Sequence, residues 1–378
     1  MRVKVLCVAG ARPNFMKIAP ILRAFAANPL FEARLVHTGQ HYDDALSKVF
    51  FDELKIPRAD VNLGIGSGSH AQQTAEIMQS FEPVLAAEQP HVLLVVGDVN
   101  STIACTLVAA KFRLNEAFQT VDGPRDRPLL VHVEAGLRSF DREMPEEINR
   151  LLTDSICELL YVSDPAGIDN LKNEGVADKR VAFVGNVMID TLLAAKERAM
   201  QSDILEQNAL EEKGFGLVTM HRPSNVDDPE TLKDLLGTLD KISHELPLVF
   251  PLHPRTKARM EAANITLDES RWKVIPPIGY LDFMKLIATA KVVLTDSGGI
   301  QEETTVLGVP CVTMRENTER PVTVDEGTNF LAGIGREKIL EGFKYAMTTP
   351  PEGRIPRFWD GKSAERIADH IAEQFPKQ

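Results

Sequence analysis

Short apolar runs, each followed at once by a polar turn and then by a segment of helix length, constrain this chain more than any other feature. Val3 to Val8, Leu35 to Thr38, Val92 to Val96, Leu129 to Val133 and Leu159 to Val162 are such runs in the first half. Parallel strands buried on both faces read as continuous apolar stretches, and the helices between them supply the crossovers. After Gly175 the pattern starts again with Val181 to Val184, Gly216 to Met220, Leu248 to Leu252, Val274 to Ile275, Val292 to Thr295 and Cys311 to Met314. No close internal sequence repeat accompanies it. The expectation is an α/β protein of two doubly wound parallel-sheet domains facing a central cleft, the first over residues 1–178 and the second over 179–360. Ile367, Ile371 and Phe375 stand at helical spacing and predict an amphipathic helix from about Ser363 to Phe375.

A chain of 378 residues suits two domains of ordinary size. Its net charge of −12, without a Lys/Arg block, argues against a nucleic-acid-binding surface but leaves room for a local basic pocket. No run approaches transmembrane length, and the apolar part of the first nine residues is too short and too β-branched for a signal segment. Cys7, Cys105, Cys157 and Cys311 are widely separated and form no zinc-like pair, so they read as buried free thiols of a cytoplasmic protein.

The segment Thr295-Asp296-Ser297-Gly298-Gly299-Ile300-Gln301-Glu302-Glu303 carries the sharpest local signal. A strand ending in a glycine pair that opens a helix is anion-binding geometry. Glycine lets backbone approach a ligand, and free N–H groups at the helix start favour a phosphate oxygen. Ser297 adds a hydroxyl donor. The alternative is a tight strand-to-helix turn with Asp296 or Ser297 as N-cap. Glu302 and Glu303, expected in the first helical turn, would repel a bare phosphate unless one binds something else, such as ribose hydroxyls. They therefore favour a nucleotide, with its phosphates on the Ser-Gly-Gly turn and one glutamate on the sugar.

Other polar loops follow strands in the same way, where open α/β sheets bind ligands. Arg12 and Lys17 come after the first run, Gly39-Gln40-His41-Tyr42 after the second, Gly97-Asp98 after Val96, and Glu134 to Arg138 after Val133. His221-Arg222-Pro223-Ser224-Asn225, His253-Pro254-Arg255 and Arg315 to Arg320 follow strands of the second half. Pro145-Glu146-Glu147 starts a helix and puts Glu146 and Arg150 on one face. Gly64, Gly66 and Gly68 miss the spacing of a dinucleotide fingerprint and predict a loop before a helix from about His70 to Glu88.

Taken in order, Ala11-Arg12-Pro13 with Lys17, Thr38-Gly39-Gln40-His41, Gly97-Asp98, His132 to Arg138, Pro145 to Arg150, His221-Arg222, His253 to Arg255, Asp296 to Glu303 and Thr318 to Pro321 resemble the non-hydrolysing UDP-N-acetylglucosamine 2-epimerases. The resemblance covers nearly the whole chain, and VEAGLRS, PEEINR and DSGGIQEE in that order are jointly specific. It implies a Rossmann-like, glycosyltransferase-B type fold with UDP held mainly by the second domain and residues 361–378 returning as a helix onto the first. It also implies interconversion of UDP-N-acetylglucosamine and UDP-N-acetylmannosamine by a homodimer that needs neither metal nor redox cofactor.

Carbon 2 of the sugar has no neighbouring carbonyl to acidify its hydrogen. The family is understood to eliminate UDP across C1–C2 and add it back to a 2-acetamidoglucal, which needs an acid and a base on opposite faces and a cradle for the departing diphosphate. By resemblance, Asp98, Glu134 and Glu146 are the candidate acid/base carboxylates, none assigned to a face, with Arg150 and His221 in the same catalytic set. Arg12, Lys17, Ser297, Gly298, Gly299, Glu303 and Arg320 match UDP-binding positions, with Glu303 on the ribose. Gln40, His41 and His253 resemble positions that bind a second UDP-N-acetylglucosamine as activator. The chain departs from the pattern after His221, where Arg222-Pro223-Ser224-Asn225 replaces an Arg-Arg-Glu-Asn-like run and loses its glutamate. The departure opens the reading of a subfamily acting on another 2-acetamido sugar nucleotide. A hydrolysing epimerase, a glycosyltransferase of the same fold and an inactive UDP-sugar sensor are the competing expectations.

Overall fold

The structure, a computed structural model, describes residues 2–39, 53–348 and 353–376, with the Arg12 side chain outside that description. It divides into two compact units, Met1–Thr191 with Arg357–Gln378, and Leu192–Pro356.

The first unit contains β1 (Val3–Ala9), β2 (Phe31–His37), β3 (Val61–Asn62), β4 (Val92–Val96), β5 (Phe118–Thr120), β6 (Gly123–Arg125), β7 (Leu129–Ala135), β8 (Leu159–Val162) and β9 (Val181–Phe183). Its main sheet has the order β3-β2-β1-β4-β7-β8-β9, every neighbour parallel. β5 and β6 form a separate antiparallel hairpin. β4 and β7 are buried at every residue, which is why they are legible as unbroken apolar runs. Val181 to Val184, read from sequence as opening the second half, supplies instead the last strand of this first sheet, pairing with β8. The apolar run alone carries no mark of its neighbour. Helix Ser363–Ala372 belongs to this unit and packs on helix Arg12–Ala27. The Asp190 carboxylate accepts Ser363 N–H (3.2 Å) and Ala364 N–H (2.7 Å), and Trp359 Nε1 donates to Ser163 O (2.9 Å).

The second unit contains β10 (Gly216–Thr219), β11 (Leu248–Pro251), β12 (Trp272–Ile275), β13 (Val292–Thr295), β14 (Cys311–Thr313) and β15 (Asn329–Leu331). These form a parallel sheet in the order β12-β11-β10-β13-β14-β15. Apolar clusters around Leu235, Leu239 and Phe250 on one side and around Phe215, Ile287 and Val293 on the other make its core. β15 is not apparent in the sequence because it begins at the polar Asn329 and its apolar stretch, Phe330 to Ala332, is too short to read as a buried strand.

Strand order reverses between β1 and β4 in the first sheet and between β10 and β13 in the second. Crevices at such reversal points, at the carboxyl ends of the strands, are where doubly wound sheets bind ligands. The loops there carry Asp98, His221 and Ser297, and Lys17 lies in helix Arg12–Ala27, which follows β1. Among the described residues no helix is long and apolar enough to cross a membrane. All four cysteines are buried free thiols.

Candidate active site

In the first unit the turn after β4 organises the chemistry. Gly97 adopts φ +66°, and a Cβ there would lie 3.0 Å from Lys17 Nζ and 3.4 Å from Glu134 Oε2. Glycine thus meets both a left-handed backbone and a close approach. Lys17 and Glu134, both buried, form an ion pair beside it. Glu134 itself has φ +71° and falls where the register of β7 against β8 shifts, so a bulge turns its side chain out of the strand alternation. Among non-glycine residues such a backbone is uncommon and clusters at functional sites.

Asp98, half-buried, accepts from Arg150 Nη1 at 2.6 Å. Arg150 is buried and also donates from Nη2 (2.7 Å) and Nε (3.1 Å) to Glu147 Oε2. Glu147 further accepts Ser139 N–H and Phe140 N–H, each at 3.0 Å. Burial pushes the Glu147 carboxyl up, but the Ser139 N–H bond and Arg150 outweigh it and hold the group below its ordinary value. Helix Pro145–Ile156 thus presents Arg150 on a fixed support, and Glu146 stands half-buried in its first turn.

In the second unit Asp296 is fully buried and caps nothing in its own helix. Its Oδ2 accepts His221 N–H (2.9 Å) and Arg222 N–H (2.8 Å), tying the end of β10 to the end of β13. Ser297 takes the N-cap position of helix Gly298–Leu307 without a side-chain capping bond. Glu302 and Glu303 lie in the second turn of this helix rather than the first, because the helix begins at Gly298. Both are buried there. Glu302 Oε1 accepts from Arg320 Nε at 2.6 Å, which answers the repulsion expected of a phosphate. Glu303 Oε1 accepts from Tyr280 OH at 3.2 Å. Burial pushes the Glu303 carboxyl up to about 7, with the Glu302 charge adding to the shift and the Tyr280 bond opposing it.

Gly298 is where Arg320 comes closest. A Cβ at this position would stand 2.7 Å from Arg320 Nη1. The guanidinium therefore lies against the amino end of the helix, and both favour an anion there. Arg315 donates to Glu319 at 2.8 and 3.1 Å. Burial first, and then the positive charge of Arg315, push the Arg222 guanidinium down, while Glu319 and Asp296 act in the other direction. His253 caps helix Pro254–Ala262, and its ring centroid lies 5.8 Å from that of His221. Pro223 starts a short helix, Pro223–Val226, which tolerates it at the first position.

A family model described as UDP-N-acetylglucosamine 2-epimerase matches residues 23–372. The chain belongs to this family. A UDP-N-acetylglucosamine 2-epimerase of Methanocaldococcus jannaschii is 38% identical over 373 residues, covering 97% of this chain and 98% of the relative. The UDP-2,3-diacetamido-2,3-dideoxy-D-glucuronate 2-epimerase of Pseudomonas aeruginosa is 39% identical over 376 residues, covering 98% and 100%. The crystal structure of the M. jannaschii enzyme in complex with UDP-GlcNAc and UDP superposes with TM-score 0.87 over 98% of this chain and 99% of that one. A glycotransferase of kitacinnamycin, 13% identical, shares the fold at TM-score 0.57. An epimerase with the two-domain glycosyltransferase-B architecture is what membership establishes.

Against that family the structure groups Asp98 on the loop after β4, Glu134 near the end of β7, Lys17 in helix Arg12–Ala27, and Glu146 and Arg150 in helix Pro145–Ile156, all at the carboxyl edge of the first sheet. It groups His221 and Arg320 on loops of the second unit with Ser297, Gly298, Gly299 and Glu303 at the start and in the second turn of helix Gly298–Leu307. Arg12 opens helix Arg12–Ala27. Gln40 and His41 lie outside the described residues. Glu134 pairs with Lys17 rather than Arg138, whose guanidinium goes to Asp154 and Glu174. Sequence reasoning gave no role to Glu147, Asp154, Tyr280 or Asn149. Glu147 stands three residues before Arg150, a spacing that could have signalled their pairing, whereas the contacts of Asp154, Tyr280 and Asn149 are made across the tertiary fold and leave no sign in spacing.

Proposed function

We propose that this protein interconverts UDP-N-acetylglucosamine and UDP-N-acetylmannosamine by epimerisation at carbon 2, without net hydrolysis. The observation that carries the reading is the pair of carboxylates at the ends of adjacent strands, Asp98 after β4 and Glu134 on β7, each held by a cation, Arg150 and Lys17. Membership of the family and the similarity to an enzyme solved with UDP-GlcNAc and UDP support the substrate class.

In this reading a carboxylate of the set Asp98, Glu134 and Glu146 removes the proton on C2 while the C1–O bond breaks, its electron pair leaving with UDP. The double bond formed is that of a 2-acetamidoglucal. A second acid of the set then delivers a proton to the other face of C2, and a β-phosphate oxygen of UDP attacks C1 to restore the bond. Arg150 and His221 assist the change of charge on the diphosphate. Backbone N–H groups at Gly298 and Gly299, the Ser297 hydroxyl and Arg320 hold the phosphates, Glu303 takes the ribose hydroxyls, and Arg12 and Lys17 belong to the cations that serve the diphosphate. A homodimer without metal or redox cofactor completes the proposal.

The P. aeruginosa relative favours a second reading, a related 2-acetamido sugar nucleotide, because its identity to this chain matches that of the M. jannaschii enzyme. Proton NMR in deuterium oxide separates the readings. Deuterium at C2 with growth of UDP-N-acetylmannosamine is the expected result. Free N-acetylmannosamine would overturn the non-hydrolysing assignment. An inert UDP-N-acetylglucosamine alongside exchange at C2 of the diacetamido glucuronate would move the substrate to the second reading.

A further inference from the structure

The turn that carries Asp98 is held by side chains at three successive carbonyls. Val96 O accepts from Asn14 Nδ2 (3.2 Å) and Thr102 Oγ1 (3.0 Å), Gly97 O faces His132 Nε2 (2.7 Å), and Asp98 O accepts from Asn149 Nδ2 (2.9 Å). His132 is fully buried on β7, two residues before Glu134. Its other nitrogen, Nδ1, is 2.7 Å from Asp154 Oδ1. Asp154 Oδ2 accepts Gly136 N–H at 3.0 Å and lies 2.7 Å from Arg138 Nη2, and Arg138 also donates to Glu174 at 2.7 and 2.8 Å.

The donors and acceptors decide the proton count. A carbonyl oxygen only accepts, so Nε2 must carry a hydrogen. Asp154 is ionised, because its Oδ2 lies 2.7 Å from the permanently charged Arg138 guanidinium and accepts Gly136 N–H, two donors that leave no place for a proton on that oxygen. An ionised carboxylate also only accepts, so Nδ1 must carry a hydrogen too. The charges that face the ring then balance, with His132 and Arg138 positive against Asp154 and Glu174.

We infer that His132 is a doubly protonated positioning residue that fixes the Gly97–Asp98 turn for catalysis, braced by Asp154 from the helix that also supplies Arg150. The inference rests on the proposed catalytic use of Asp98 and Glu134. An immobile imidazolium suits that use, since it sets where Asp98 meets Arg150 without exchanging protons with the substrate. Displacement of a catalytic group by about 1 Å costs on the order of 100-fold in rate.

Two measurements test it. In ¹⁵N-histidine-labelled, substrate-free protein, His132 is to show two exchange-protected ring N–H groups at neutral pH. A single neutral tautomer would overturn the inference whether or not the epimerase reading holds. In turnover, His132→Gln leaves one donor for Gly97 O and sets an amide oxygen against Asp154, so kcat is to fall about 100-fold with KM within about 3-fold. Combining it with Asp154→Asn restores a directed chain, in which the introduced asparagine amide donates to the introduced glutamine and that glutamine donates to Gly97 O. The double variant is to recover at least 10-fold of the loss. Wild-type kcat per folded molecule in His132→Gln, or a double variant no better than the single, would reduce His132 to a fold-stabilising residue.

Discussion

Asp296 and His221 are joined twice. One Asp296 oxygen accepts the His221 backbone N–H at 2.9 Å, and the other lies 3.1 Å from His221 Nδ1. The His221 side chain is 44% exposed while Asp296 is wholly buried, so a fixed carboxylate sets its charge beside a ring that solvent reaches. Asp296→Asn keeps an acceptor for the backbone but loses the charge behind the ring. Turnover should fall by on the order of 10²–10⁴, with UDP affinity by calorimetry within about 3-fold of wild type. Unchanged kcat would remove His221 orientation from the mechanism.

Glu303 makes a prediction about pH with a definite sign. Its carboxyl is raised from 4.5 to about 7, so across that window the folded protein keeps a proton the unfolded chain has released. The unfolded state binds fewer protons there, and the contribution of this group to stability is lost as pH rises from 4.5 through 7. In ligand-free protein, Glu303→Gln should therefore raise the melting temperature more at pH 8 than at pH 5. If Glu303 receives the ribose hydroxyls as a carboxylate, UDP binding near pH 7 releases a proton and weakens below that pH. Titrations in two buffers of different ionisation enthalpy should differ more in heat for wild type than for the variant, whose remaining difference belongs to the terminal phosphate of UDP. A wild-type difference no larger than the variant's would exclude Glu303 as a carboxylate on the sugar.

Gly298→Ala should separate binding from stability. The added methyl would stand 2.7 Å from Arg320 Nη1 and 3.3 Å from its Cζ, and the guanidinium, the far end of a flexible side chain, can swing aside. Stability should change by less than about 1 kcal/mol. UDP affinity should drop at least about 10-fold, the worth of one charge-assisted hydrogen bond. Retained affinity would mean that Arg320 serves its carboxylate partners Glu302 and Glu319 and not the phosphates.

Asp98 and Glu147 share Arg150 but should fail differently. Asp98→Asn should cut turnover by at least about 10²-fold while the protein melts near its normal temperature and binds UDP within about 3-fold. Glu147→Ala removes a buried partner of Arg150 and the acceptor for the 139–140 loop, and should cost about 3–5 kcal/mol of stability in denaturant unfolding. Wild-type activity in the first variant, or wild-type stability in the second, would reverse these roles.

Most strands of the two large sheets were legible because the buried ones, such as β4 and β7, are apolar at nearly every position, and the helix His70–Glu88 because its loop, cap and spacing agree, while the short β3, β5, β6 and β15 carried no such run. The motif residues at the strand ends were legible for a related reason, since residues of one loop stay neighbours whatever the fold does. What tertiary structure decided was partnership. Val181 to Phe183 joins the first sheet because β8 offers it an edge, Glu134 takes Lys17 rather than Arg138 because a bulge turns it, and Asp296 serves His221 rather than its own helix because β10 and β13 lie side by side. Periodicity and local composition record what a residue needs from solvent and from its own turn of chain. Which distant donor meets which acceptor depends on register and crossover, and these exist only once the sheets have formed.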